Sequence, residues 1–313
     1  MARNREPLNL GVNIGKLQLA SPIVCASGTF GFGEELTGLV DFSSIGAVTT
    51  KTVTLQPKAG NAPPRIFDSG CGVINSVGLE NPGLESFLND TLPKIKKLNT
   101  KFIVSIGADT AEEYAEIVKK LDDVKDVEAL EANLSCPNIK NKKIVSQDKE
   151  ATYQLIQSLT SLTAKPLIVK ITPETVDIVG VARAAASGGA DAVSLVNTFF
   201  AMAIDIETAR PYLGNIYGGY SGPAIKPMSL YRVWRAAAGL EIPVIGGGGI
   251  VNAADAIEFI LAGATAVSLG TVNLVYPNKA KDILGGIKDY MVKKKIKDVR
   301  ELKEKVPSEG SVG

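Results

Sequence analysis

The chain contains no histidine among its 313 residues. Histidine is the side chain whose ordinary pKa lies closest to neutrality, so acid–base chemistry here must fall to another group, with cysteine the next candidate. Cysteine is itself scarce. Cys25, Cys71 and Cys136 are too few and too scattered for a disulfide framework or a four-cysteine metal site, and no histidine is available to complete a mixed set. A zinc centre or an iron–sulfur cluster carried by this chain is therefore not expected, and Cys25 and Cys71 read as small core or loop residues. Charge of one sign is also missing. The 34 basic and 33 acidic residues leave a formal net charge of +1, so no global field draws nucleic acid or an anionic membrane. No apolar run approaches the length of a membrane span, and the opening MARNREPLNLGVNIG lacks a signal-type stretch, so a cytoplasmic enzyme is the expectation.

What is present is ordinary for a chain with a large core: 45% apolar and 21% charged residues. Eight short apolar runs recur: PIVCAS (22–27), GAVTTKT (46–52), FIVSIG (102–107), ALEANLS (129–135), PLIVKIT (166–172), AVSLVN (192–197), PVIGGGG (243–249) and AVSLGT (266–271). Helical patterns such as AEEYAEIVKKL (111–121), VDIVGVARAAASGG (176–189) and AADAIEFILAGA (253–264) separate most of them. Strands alternating with helices predict a parallel sheet, and eight units predict closure into one (β/α)8 TIM barrel, with an open doubly wound sheet as the alternative. LGVNIGKLQL (10–19) alternates as a hairpin would, under the barrel. Long loops follow strands 2, 4 and 6. Those at 53–83 and 198–228 are rich in glycine and proline and read as lids or binding loops. MVKKKIKDVRELKEKV (291–306) reads as a charged helix with a solvated face, and 307–313 as a frayed tail. The whole chain is thus expected to form one domain.

In such barrels the active site lies at the C-terminal ends of the strands. Polar residues gather there: Ser27, Lys51, Thr52, Ser105, Asn133, Cys136, Lys170, Asn197, Thr198, the run GGGG (246–249), and Gly270 with Thr271. Glycines after strands 7 and 8 suit a phosphate, because backbone N–H groups reach its oxygens where no Cβ intervenes. Lys51 and Lys170 end apolar strands and would be costly to bury unpaired. Either an anionic ligand or a salt bridge, for instance to Glu131, would satisfy them. Asn75, Asn133, Asn138 and Asn197 offer paired donors and acceptors suited to an amide-bearing heterocycle, though each alone would serve equally as a turn residue.

ASGTFGFGEE (26–35), KTVTLQPKAGNAPPR (51–65), INSVGLENPG (74–83), EANLSCPN (131–138), GGYSGPAIKP (218–227) and the GGGGI…GT ending resemble dihydroorotate dehydrogenase, most closely the class 1B catalytic subunit. The likeness runs in order from about residue 8 to residue 290. It implies a barrel holding one FMN and oxidising dihydroorotate to orotate in pyrimidine biosynthesis. Carried over position by position, Cys136 falls on the catalytic base. Lys51, Asn75, Ser76, Val77, Gly78, Leu79, Asn133, Asn138, Asn197 and Thr198 fall on substrate contacts. Ser27, Lys51, Thr52, Ser105, Asn133, Lys170, Val196, Gly222, Gly248, Gly249, Gly270 and Thr271 fall on the FMN site. The chain departs from the family at Ser105, usually asparagine, at Glu80, commonly glutamine, and at Val272, commonly alanine.

The resemblance further implies a homodimer joined into a heterotetramer with a subunit that carries FAD and a [2Fe–2S] cluster and passes electrons to NAD. The cysteine count agrees with a cluster lying elsewhere, and equally with a class 1A enzyme that uses fumarate. A dihydropyrimidine dehydrogenase-like FMN enzyme shares the barrel and the cysteine loop, and a non-catalytic phosphate-ligand barrel is the reading from another class. Neither nucleic acid, nor membrane, nor a metal is expected as a partner.

Overall fold

A computed structural model describes residues 8–135, 144–303 and 306–307. All eight apolar runs are strands of one closed barrel: β1 (Ile23–Cys25), β2 (Ala47–Thr49), β3 (Lys101–Ile106), β4 (Ala129–Asn133), β5 (Leu167–Lys170), β6 (Ala192–Leu195), β7 (Val244–Gly247) and β8 (Ala266–Leu269). Every neighbouring pair is parallel, and β8 closes on β1 through the pairs Val267–Ile23, Ser268–Val24 and Leu269–Cys25. Strands of this kind are covered on both faces, which is why they read as continuous apolar runs instead of alternating ones. Val24, Val48, Ile103, Leu130, Val169, Val193, Ile245 and Val267 are all buried.

The outer helices begin where polar caps permit. Helices α1 (Ala111–Asp122), α2 (Lys149–Thr160) and α3 (Ile178–Ser187) start behind Thr110, Asp148 and Asp177, whose side chains accept from backbone N–H groups of the first turn. Helices α4 (Lys226–Ala237) and α5 (Ala253–Leu261) flank β7, and Asn252 with Asp255 forms a capping box at the start of α5. The 84–95 segment is helical and supplies the crossover between β2 and β3.

The predicted hairpin is Val12–Ile14 paired with Leu17–Leu19. Its turn abuts the N-terminal end of β6: a Cβ on Gly15 (φ +56°) would meet the Cβ of Asp191 at 2.6 Å, so the hairpin does lie under the barrel. The expected helix over 291–306 requires correction. Helix α6 spans Lys279–Lys294 and stops at Lys295, which adopts the left-handed conformation (φ 59°). The chain then turns back to bury Val299 and Leu302, and Asp298 pairs with Asn9. Burial of these apolar side chains outweighs the helical preference of the lysine-rich string.

The two long loops converge. Ile66–Asp68 and Val73–Asn75 come from the first, Phe199–Ala201 and Gly218–Ser221 from the second, and the four pair antiparallel into one small sheet. That sheet flanks the C-terminal mouth of the barrel, and Ile66, Val73, Asn75, Phe200 and Ser221 form part of the wall of a cavity there.

Candidate active site

The cavity measures about 490 Å³ and lies at the C-terminal ends of the strands. Residues from all eight barrel strands or the turns just after them border or underlie it. Ser27, Lys51, Thr52, Asn75, Val77, Gly78, Leu79, Asn133, Lys170, Val196, Asn197, Thr198, Gly222, Gly248, Gly249, Gly270 and Thr271 all stand at its wall. The structure therefore brings together every expected site residue that it describes except two. Ser76 turns away to receive Nδ2 of Asn61 at 2.8 Å, and Ser105 is buried behind Thr52, its Oγ 3.0 Å from Thr52 Oγ1. Cys136 and Asn138 lie outside the described residues; their neighbour Ser135 is at the cavity wall.

One end of the cavity is built from backbone. Gly248 (φ 113°) and Gly249 (φ 89°) occupy conformations that side chains disfavour. A Cβ on Gly249 would come within 2.7 Å of the Lys226 backbone nitrogen at the start of α4. A Cβ on Gly270, by contrast, would meet no protein atom within 4 Å, although Gly270 is part of the wall. Cavity space thus reaches to the main chain at β8, as an oxygen-rich ligand group held by N–H donors requires.

The other end is built from side-chain amides. Asn197 Nδ2 donates to Asn133 Oδ1 at 3.3 Å, and Asn133 Nδ2 donates to Thr52 Oγ1 at 3.4 Å. Asn75 Nδ2 donates to the Gly219 carbonyl at 3.2 Å, which orients its amide across the lid sheet. These links fix the amides while leaving acceptor and donor positions toward the cavity. Lys51 and Lys170 stand at the same wall, and neither forms an ion pair with a carboxylate among the described residues. The salt bridge to Glu131 considered for the two lysines does not form at ion-pair distance, although the charge of Lys170 reaches that carboxyl. Two half-buried cations with no carboxylate at ion-pair distance among the described residues suit an anionic ligand.

Two features of the site went unread in the sequence. Ser194 and Ser268 both stand at the cavity wall. Each is the third residue of an AVSL string, and a polar residue recurring at the same place in two apolar strands is the signal that would have found them. The second is the setting of Glu131, read above only as a salt-bridge partner: it is buried at 4% exposure on β4, with Oε1 lacking a hydrogen-bond partner among the described residues. Desolvation pushes its carboxyl above the ordinary range, against the opposing pull of Lys170 and of the Ser105 and Ser194 hydroxyls. Cys25 is wholly buried in β1, and desolvation raises its thiol far above its usual pKa. Cys71 is exposed in the first long loop. Both fit the expectation of core and loop residues.

A closed barrel whose C-terminal cavity joins a glycine cradle to fixed amides and two lysines has the architecture of a barrel enzyme with its active site at the strand ends. Comparison with known proteins identifies which. Residues 9–291 match the family model for dihydroorotate dehydrogenase. The chain is 46% identical over 295 residues to the protein named dihydroorotate dehydrogenase B (NAD(+)), catalytic subunit, of Geotalea daltonii, covering 94% of this chain and 97% of that one. The protein of the same name from Desulforudis audaxviator is 47% identical, with 93% of this chain and 95% of that one covered. A solved structure of DHODH from Eimeria tenella, in complex with ferulenol, superposes with a TM-score of 0.77 at 25% identity, over 96% of this chain and 89% of that one. The chain belongs to the dihydroorotate dehydrogenase family. Among the described residues no helix is long and apolar enough to cross a membrane, and no cluster of histidine, cysteine, aspartate or glutamate is arranged to hold a metal.

Proposed function

We propose that this chain oxidises dihydroorotate to orotate with FMN as its resident cofactor, and that its electrons pass to NAD through a separate subunit. The observation that carries the reading is the composition of one cavity. Its glycine cradle and its amide–lysine end are joined, so a phosphate-bearing cofactor and a carboxylate-bearing ring fit side by side. The residues present suit a flavin. Gly248, Gly249, Gly270 and Thr271 would hold its phosphate, Gly222 and Val196 would border it, and Lys170 would stand beside it as a fixed cation. Bound there, the flavin supplies the two-electron acceptor for the reaction.

The chain's own residues do the rest. Lys51 would receive the substrate carboxylate, since it is cationic, at the wall and without an ion-pair partner among the described residues. Asn75, Asn133, Asn138 and Asn197 would hold the ring by its amide edges, with Val77, Gly78, Leu79 and Thr198 closing the pocket around it. Cys136 would take the proton from C5 as thiolate. In the sequence it follows Asn133, the last residue of β4 at the catalytic end of the barrel, by three positions. Lys51 and the amide set favour a carboxylate-bearing ring over the uncharged pyrimidines of a dihydropyrimidine dehydrogenase.

Anaerobic mixing of the purified yellow protein with dihydroorotate tests this directly. Bleaching of the flavin band by dihydroorotate but not by dihydrouracil is expected. A colourless protein, or bleaching by dihydrouracil alone, would refute the reading.

A further inference from the structure

Glu131 stands on β4 two residues before Asn133, so both side chains point to the barrel interior and the carboxyl lies one layer below the cavity floor. Its partner across β3 is Ser105, and on the other side β5 presents Lys170, paired with Asn133 and with Ser194 of β6. Of the titratable side chains on strands packed against β4, Lys170 is the one whose charge reaches the carboxyl; β3 and β6 present the Ser105 and Ser194 hydroxyls. Such a carboxyl, with Oε1 unpartnered among the described residues, would be expensive to keep permanently ionised.

The carboxyl is not isolated from the cavity. Ser105 Oγ lies 3.0 Å from Thr52 Oγ1, and Thr52 Oγ1 lies 3.2 Å from Ser27 Oγ at the cavity wall. In both contacts either oxygen can act as donor, so the chain can reverse its polarity.

We propose that Glu131 is a redox-linked proton acceptor, loaded and unloaded through the Ser27–Thr52–Ser105 hydroxyls as charge arrives on and leaves the cofactor beside Lys170. The proposal rests on the flavin reading above. When two electrons and one proton reach the neutral ring system from the substrate, one negative charge remains near Lys170. The Glu131 carboxylate then takes one proton from the buffered bulk solvent, relayed along the hydroxyls, becoming the neutral acid. When both electrons leave toward the acceptor, the carboxyl releases that proton by the same route. Charge near Lys170 is thereby balanced in both states. Glu131 touches neither substrate nor ring and acts through Lys170, as a positioning residue.

The test is an anaerobic spectroelectrochemical titration of the flavin in the full chain, without substrate, repeated across neutral pH. Flavin content and absorption spectrum are recorded for each protein, so a missing flavin condemns the cofactor reading and not this proposal. The original chain should show a pH window in which two protons accompany two electrons, with one proton outside it. Glu131→Gln should show one proton throughout, and an unchanged window there overturns the proposal. Titration of Cys136 is common to both proteins and cancels in the comparison. In Ser105→Ala the window should persist but move to higher pH, because a donor to the carboxylate is lost. Proton uptake read with an indicator dye should slow, and Ser105→Thr should restore both. If Glu131→Gln does not retain flavin, Ser105→Ala decides: a window that neither moves nor slows overturns the proposal.

Discussion

At the scale of single residues, the proposed function assigns some groups to holding ligands and one to reacting. Gly270 isolates the first kind. A side chain there would meet no protein atom within 4 Å but would occupy the cavity. Gly270→Val should therefore leave the thermal midpoint of the flavin-free protein unchanged while bound FMN, measured by absorbance after desalting, falls sharply. Gly249→Val should lose flavin too, but with a loss of stability, because its Cβ would press on the Lys226 backbone. Retention of full flavin by Gly270→Val would show that the phosphate is held elsewhere. Cys136 is the proposed reacting group. An ordinary thiol of pKa ~8.5 is only about 3% ionised at pH 7, so the rate of flavin reduction should climb with pH until the thiolate forms. Cys136→Ala should keep its flavin spectrum and orotate binding but reduce roughly 10²–10⁴-fold more slowly, with the thiol-dependent limb gone. Stopped-flow absorbance reads both. Cys25 cannot stand in, since burial holds its thiol protonated.

At the scale of elements, the cradle depends on how α4 is pinned. Lys226 begins α4 and reaches Asp255 at 2.7 Å, and Asp255 also accepts from the Val251 and Asn252 backbone N–H groups at the start of α5. The Asp255 hydrogen bond, ahead of a smaller contribution from Glu258, holds Lys226 above its ordinary pKa. Asp255→Ala removes all three links at once and should cost about 2–3 kcal/mol in denaturant unfolding, with weaker flavin retention because the backbone beside Gly249 is freed. A second tie joins the ends of the chain. Asp298 accepts from Asn9 and from Arg300, and the Arg300 hydrogen bond holds its pKa at about 2. A carboxylate depressed in the folded state stabilises above its unfolded pKa and loses that contribution as pH falls through the folded one. The tie should hold fully above about pH 4 and fade toward pH 2, and being partly solvated it should contribute only ~1 kcal/mol. Asp298→Asn should match the original chain's stability near pH 2 and fall below it at pH 6. How much of this was legible in the sequence follows from the forces involved. Strands β1 to β8 announced themselves because parallel strands covered on both faces must be continuously apolar. The lid sheet did not, because its strands have three or four residues each and Val73–Asn75 pairs with Gly218–Ser221 far along the chain. The end of α6 was invisible because left-handed Lys295 sits in a string of like lysines, with only the later burial of Val299 and Leu302 to decide it. The site residues were legible as a rim, whereas the sideways turn of Ser105 onto Thr52 depends on cross-strand register.

At the scale of the whole molecule, the cavity has to hand its electrons on. The chain has no Rossmann-type glycine fingerprint for a dinucleotide, and its three cysteines are too few for an iron–sulfur cluster. Two of the three are accounted for in the structure: Cys25 is sealed inside β1, and Cys71 lies exposed in the first long loop. A chain with neither motif is expected to pass its electrons to NAD through a separate subunit. The isolated protein should therefore be reduced readily by dihydroorotate yet turn over NAD slowly, while an artificial dye acceptor should restore steady turnover. Co-expression with a subunit carrying FAD and a [2Fe–2S] cluster should restore NAD reduction, with the two chains co-eluting from a sizing column. Fumarate supplied to the isolated chain separates the alternatives. Rapid turnover with fumarate would assign the chain to the fumarate-linked enzymes. Rapid NAD reduction by the isolated chain would mean that the cavity at the barrel mouth serves dinucleotide and substrate alike, and the need for a partner would fall.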